Sequence, residues 1–196
     1  MFLSFYIDET IGGRYSVTSA VGGVVLSLAF GYDCFESYLK GAYDMDQDSK
    51  NPNSLENMAL MSALIGIWER NFLGFKAKAI IPYCTALAQL PSHLQQLDCE
   101  SNGKQVNIYG EKIDYPTGQV VIGGVGSNVQ HSFFQLLHQG TEVIPVQFIG
   151  FEESQLEHQR EYSFAKKNQK GLWANLMSQI VALAQGQSNE DNNKNF

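Results

Sequence analysis

The chain has 196 residues, 44% hydrophobic and 17% charged, which suits one domain of ordinary size with a sizeable core. A net charge of −7 and an isoelectric point near 5.0 argue against binding nucleic acid through general electrostatics. They leave room for a phosphorylated metabolite, because a small anion needs only a few local donors. The three cysteines, Cys34, Cys84 and Cys99, form no C-x-x-C pair, so neither a disulfide framework nor a zinc site is expected. The apolar stretch Val17 to Phe30 is too short to span a membrane, contains Gly22 and Gly23, and lacks the charged front of a secretory signal. A soluble, cytoplasmic chain is expected.

Phe2 to Ile7 reads as a strand or extended entry, followed by a loop in which Gly12 and Gly13 supply backbone freedom. Ser16 to Phe30 reads as a buried helix. Asp33 is placed to cap a second helix reaching about Met45, with Phe35, Tyr38, Leu39 and Ala42 on one face. Ser54 opens the clearest helical pattern, with Leu55, Met58, Ala59, Ser62, Leu64, Ile65 and Trp68 at helical spacing. Ala77 to Cys84 is a buried strand, and Leu87 to Leu97 a helix kinked near Pro91. A polar stretch from Asp98 to Thr117 carries turn signals at Asn102-Gly103 and Tyr109-Gly110.

Gln119 to Ile122 is a second buried strand, and a glycine-rich run from Gly123 to Gly126 follows it. A helix over Val129 to His138, capped by Ser127 or Asn128, stops at Gly140. Val143 to Ile149 is a third strand. Glu152 to Ala184 reads as helical with a break at Gly171, and Gln187 to Phe196 as a loosely held polar tail. Short apolar strands alternating with helices predict a three-layer α/β/α sandwich with a mainly parallel sheet. In such folds ligands sit beyond the carboxyl ends of the strands, near the segments after Cys84 and after Ile122.

Three segments hold residues able to do chemistry. Arg14 follows two glycines, where it is either a surface arginine after a turn or a guanidinium facing an anion that the glycines admit. Glu100 ends a helix, where the dipole disfavours a carboxylate, so it is either a solvated glutamate or one placed there for a reason. His131 is expected in the first turn of a helix, a position that favours a neutral imidazole, and by itself it reads as a satisfied or exposed histidine. The Gly123–Gly126 loop resembles an anion cradle, but it lacks the Lys-Ser/Thr of a P-loop and the dinucleotide spacing.

Taken together, Gly12-Gly13-Arg14-Tyr15-Ser16, the run Gln95 to Lys104 and the run Asn128 to Pro145 occur in an order that resembles the glucose-6-phosphate isomerase (phosphoglucose isomerase) family. Ala63 to Trp68 and Ala79 to Tyr83 extend the resemblance, with a fainter echo in Lys170 to Gln185. The resemblance implies interconversion of glucose 6-phosphate and fructose 6-phosphate through a cis-enediol. It implies Glu100 as the catalytic base, His131 as the ring-opening residue and Arg14 as the group stabilising the enediolate. Gln96 and Gly13 are implied to contact substrate. One departure is local: the family's Glu-Pro-Gly-Thr-Asn-Gly stands here as Gly124-Val125-Gly126-Ser127-Asn128-Val129.

Those residue types suit the reaction. A proton next to a carbonyl is weakly acidic and needs a carboxylate held close to it. The enediolate oxygen needs a positive group already in place. A neutral imidazole can exchange a proton with the ring oxygen. No metal and no cofactor are implied. The resemblance also implies a flavodoxin-like sugar-isomerase (SIS) domain over 16–186, with 1–15 as a lead-in segment carrying the Gly-Gly-Arg loop and 187–196 as a tail. On this reading the chain is the second SIS domain of a homodimeric enzyme, inactive or nearly so without a first SIS domain that bears the phosphate loop and a lysine-bearing terminal segment. The alternative is a SIS domain that binds sugar phosphates without catalysis. Retention of Glu100, Arg14, Gln96 and His131 favours the enzyme.

Overall fold

A computed structural model describes residues 4–154 and 162–186. The chain divides into two compact units, 1–72 and 73–196. The division falls inside the span 16–186 expected to form one domain.

The first unit is helical. Residues 4–7 form no strand. A 3-10 turn, Gly13–Thr18, leads to α1 (Ala20–Phe30), whose cap is Ser19, accepting from the Val21 N–H at 3.2 Å. Gly31, at φ +90°, makes the sharp reversal into α2 (Tyr32–Asp48), a conformation that favours glycine. Asp33 therefore does not cap α2. It lies in the first turn, where a carboxylate suits the positive end of the helix. α1 is less buried than expected: only Gly22 is fully covered, while Val25 is 63% and Leu28 83% exposed. Within this unit α2 packs against α1 from one side, with the Phe35 ring on Gly23, and α1 carries apolar residues on all sides.

The next helix, α3 (Met58–Ile67), is started by Asn57 and not by Ser54. Asn57 is buried and triply used. Its carbonyl oxygen accepts from the Leu60 N–H, and its amide donates to the carbonyls of Ser49 and Asn51, all at 2.9 Å. Such a side chain caps the helix and ties down the preceding loop at once. A π-helical turn, Trp68–Phe72, follows α3.

The second unit holds a three-stranded parallel sheet in the order β2-β1-β3: β1 (Ala77–Pro82), β2 (Val120–Gly123) and β3 (Val146–Ile149). Ala77 pairs with Val120, and Ala79 with Val146. Alternation along β1 sends Ala79, Ile81 and Tyr83 to one face, where they pack with Val129, Phe134 and Leu176. Lys78 and Ile80 turn to the other face, which is covered by α4 (Leu90–Leu94) and a π-helical turn, Gln95–Glu100. Helices thus cover both faces, giving the α/β/α layering.

Pro91 opens α4 where a kink was expected, because a helix's first positions have no intrahelical use for an N–H. The helix expected over Val129 to His138 is split into α5 (Gly126–Val129) and α6 (Phe134–Gln139), and neither has a side-chain cap. α7 (Tyr162–Gln185) runs through Gly171 without a break: Gly171 lacks a positive φ, and a helix tolerates an isolated glycine. Glu152–Ser154 are not helical. The start of the helix expected from Glu152, Met1–Leu3 and the tail 187–196 lie outside the described residues.

Candidate functional site

Arg14 belongs to the first unit. The turn that holds it is closed by the Tyr15 N–H on the Gly12 carbonyl at 3.0 Å and by the Ser16 hydroxyl on the Gly13 carbonyl at 2.7 Å. Neither Gly12 nor Gly13 has a positive φ, so the backbone does not require glycine at either, contrary to the expectation of conformational freedom. What the two glycines leave is space: a Cβ built on either meets nothing within 4 Å. Arg14 beside them is half-buried.

Gln96 and Glu100 belong to the second unit, both on the exposed side of the π-helical turn. An i→i+5 turn widens the helix locally, and such turns recur at functional sites. Its other side is pinned to the sheet. The Gln95 amide donates to the Val121 carbonyl at 2.8 Å, and the Cys99 thiol to the Gln119 carbonyl at 3.4 Å. Lys78 pairs with Asp98 at 2.6 Å, and Asn102 donates to the second Asp98 oxygen at 2.7 Å. Burial pushes the Asp98 carboxyl up, but these two hydrogen bonds and the Lys78 charge outweigh it and hold the group below its ordinary 3.8. The Lys104 ammonium donates to the Glu100 carbonyl, satisfying an acceptor that the helix end leaves open.

These contacts fix the direction of the element. α4 starts beyond the carboxyl end of β1, and the π-helical turn brings the chain back to the amino end of the sheet, beside Gln119 and Gly118. Glu100 therefore does not stand at the carboxyl edge, where the fold class led us to expect the site.

His131 does lie at the carboxyl edge. It is exposed, in the turn between α5 and α6, with its N–H on the Asn128 carbonyl at 3.1 Å. It follows the end of α5 and precedes α6, so it is not in the first turn of a helix as expected. The glycines of the run before it are places of close packing. A Cβ at Gly126 would lie 2.1 Å from the Tyr83 ring, one at Gly123 2.1 Å from the Ile80 carbonyl oxygen, and one at Gly124 2.7 Å from Val129.

Three contributors escaped the sequence reading. Asp98 brackets the Glu100 turn with Lys78, twenty residues away, and only its spacing of four to Asn102 was visible in the sequence. Tyr83 and Gln130 are joined by a contact with no local signature. Among the described residues no group of three or more His, Cys, Asp or Glu is placed to hold a metal ion, and no helix is long and apolar enough to cross a membrane. An open cleft of about 690 Å3 beyond β3 is lined by Glu152, Glu153, Lys166, Lys170 and Trp173, and by none of the expected site residues.

Known proteins match this chain along most of its length. The phosphoglucose isomerase family model matches residues 2–196. A glucose-6-phosphate isomerase of Treponema denticola is 54% identical over 193 residues, 98% of this chain and 37% of the relative. One of Chlamydia pneumoniae is 50% identical over 192 residues, 98% of this chain and 36% of the relative. The crystal structure of a glucose-6-phosphate isomerase from Chlamydia trachomatis superposes with a TM-score of 0.86 at 44% identity, covering 94% of this chain and 36% of that one. A hypothetical protein from Thermus thermophilus superposes with a TM-score of 0.68 at 26% identity, covering 91% and 43%. The chain thus spans little more than a third of the length of the curated relatives it matches, and over that span it belongs to the phosphoglucose isomerase family.

Proposed function

We propose that this chain supplies the proton-transfer and ring-opening residues of a glucose-6-phosphate isomerase, arranged as two half-sites that are completed in a homodimer. Glu100 removes the proton from the carbon next to the sugar carbonyl and returns it to the neighbouring carbon. Arg14 stabilises the enediolate oxygen, Gln96 holds the substrate hydroxyls, and the open space at Gly13 lets the sugar approach the backbone. His131 passes a proton between the anomeric hydroxyl and the ring oxygen of substrate bound to the other copy. The reading carries with it a cytoplasmic enzyme acting on glucose 6-phosphate and fructose 6-phosphate, with no membrane or nucleic-acid partner.

The observation that supports the divided site is the separation of its two elements along β1. The Glu100 turn is pinned at Lys78, whereas the His131 turn is held at Tyr83. The strand between those anchors spans about 17 Å, and the two elements cover opposite faces of the sheet. A proton-transfer group must lie roughly 3 Å from its target, and anchors this far apart favour a bound hexose that takes the two residues from different copies.

The test uses a chimera in which this chain replaces its matching segment in the Treponema denticola relative. With Glu100→Gln, exchange of the sugar's carbon-bound proton with deuterated solvent should stop while ring opening continues. Exchange at the wild-type rate would remove Glu100 from the role of base.

A further inference from the structure

We infer that Tyr83, Gln130 and Asn175 form a positioning device for His131, a role that rests on the ring-opening assignment proposed above. The three residues come from the position just after β1, the turn after α5 and the middle of α7, and their polar ends meet in a closed triangle. The Gln130 amide donates to the Tyr83 hydroxyl oxygen at 2.9 Å and to the Asn175 carbonyl oxygen at 2.6 Å. The Tyr83 hydroxyl donates to that same Asn175 oxygen at 3.3 Å. Both N–H groups of the glutamine amide are thereby used, and the phenol both donates and accepts.

Tyr83 suits the part of a fixed post. Its ring is 2% exposed, packed in the core with Phe148 and Leu176. Burial pushes its hydroxyl up by more than the Gln130 hydrogen bond pulls it down, so the phenol stays protonated and available as a donor. The segment carrying His131 touches this post twice. At its start, Gly126 lies so close to the ring that a Cβ there would come within 2.1 Å of it. At its end, Gln130, the residue immediately before His131, grips the hydroxyl.

α5 has only four residues and no side-chain cap, and the next helix begins three residues after His131. So short an element cannot fix a catalytic imidazole by its own hydrogen bonding. The two contacts with Tyr83 and the link to α7 supply the rigidity, and they act on the residues that lead into His131. In ring opening a proton leaves the anomeric hydroxyl, the bond from C1 to the ring oxygen breaks, the C1 carbonyl forms, and the ring oxygen gains a proton. A misplaced imidazole slows that exchange and leaves the later carbon-proton transfer by Glu100 unaffected.

The experiment compares Gln130→Leu, Tyr83→Phe and the double variant in the full-length chimera, on cyclic glucose 6-phosphate and on an open-chain analogue that cannot close a ring. Each single variant is expected to lose roughly 10- to 100-fold in turnover of the cyclic substrate and little on the open-chain one. The double variant should lose less than the two singles multiplied together, because both remove the hydrogen bond between Gln130 and Tyr83. Equal losses on the two substrates would reduce the triangle to a structural role and overturn the proposal, as would no loss on either. Should Gln130→Leu fail to fold, Tyr83→Phe, which deletes one oxygen, decides between the same outcomes. His131→Ala runs alongside. If it loses ring opening and the triangle variants do not, only the positioning role fails. If His131→Ala itself opens the ring at the wild-type rate, the ring-opening assignment fails first.

Discussion

A single methyl group at Gly126 measures how tightly the His131 segment is seated. In Gly126→Ala the new Cβ would lie 2.1 Å from Tyr83 Cε2, 2.4 Å from Cδ2 and 2.5 Å from Cζ, well inside any tolerable carbon contact. The ring cannot swing away, since Tyr83 is only 2% exposed and its hydroxyl is held by Gln130 and Asn175. Overpacking of this kind costs about 1–3 kcal/mol. Alanine's better helix propensity returns at most about 1 kcal/mol at the start of so short a helix. The net expectation is a loss of about 1–2 kcal/mol, or roughly 2–8 °C in Tm for a protein of this size. Gly171→Ala is the internal control. Gly171 is also helical, but a Cβ there meets nothing within 4 Å, so it should gain about 0.5–1 kcal/mol from propensity alone. Thermal unfolding followed by circular dichroism reads both. A Gly126→Ala chain as stable as wild type would refute the close packing of α5 on Tyr83.

Other substitutions test the remaining supports. Asn57→Ala removes a cap and two loop hydrogen bonds and should cost about 2–3 kcal/mol by urea unfolding. Asn57→Asp keeps the capping oxygen and should cost less. The carboxyl of Asp98 is held below its ordinary 3.8, so its stabilising contribution is complete above that value and is lost as pH falls through the lower, folded-state value. Asp98→Asn should therefore lower stability at pH 7 by about 1 kcal/mol and flatten the acid limb of a stability-versus-pH profile. An acid limb as steep as that of wild type would deny Asp98 that role. Because the chain spans 37% of the Treponema denticola relative, the 196 residues alone should turn over glucose 6-phosphate at least about 10^3-fold more slowly than the chimera in a coupled assay.

The parallel sheet was legible because its strands are short, apolar and buried. Ala79, Ile80 and Ile81 can hardly belong elsewhere, and the order of strands and helices leaves few topologies. Boundaries were less legible wherever a tertiary contact overrode a local signal. Ser54 and Asp33 both look like caps, yet Asn57 takes the first role through contacts with Ser49 and Asn51, and Gly31 takes the second through its positive φ. The glycines before His131 suggested an anion cradle, and only the position of the Tyr83 ring reveals why Gly126 must be small. Of the candidate site, the residue types were readable and their placement was not. Nothing local in the sequence says that the turn after Leu94 returns Glu100 to the amino end of the sheet while His131 stays at the other end. That follows from pairings such as Lys78 with Asp98 and Tyr83 with Gln130, which are distant along the chain.

The divided site is tested most directly by complementation between two inactive chimeras, one carrying Glu100→Gln and the other His131→Ala. Each alone should have two broken sites per dimer. If Glu100 of one copy works with His131 of the other, mixed dimers contain one intact site and one doubly defective site. Random reassociation of equal amounts should then restore roughly a quarter of wild-type turnover. Turnover that stays at the level of the separate variants, with mixed dimers demonstrated by mass spectrometry, would mean that both residues serve a site within one copy and would contradict the account.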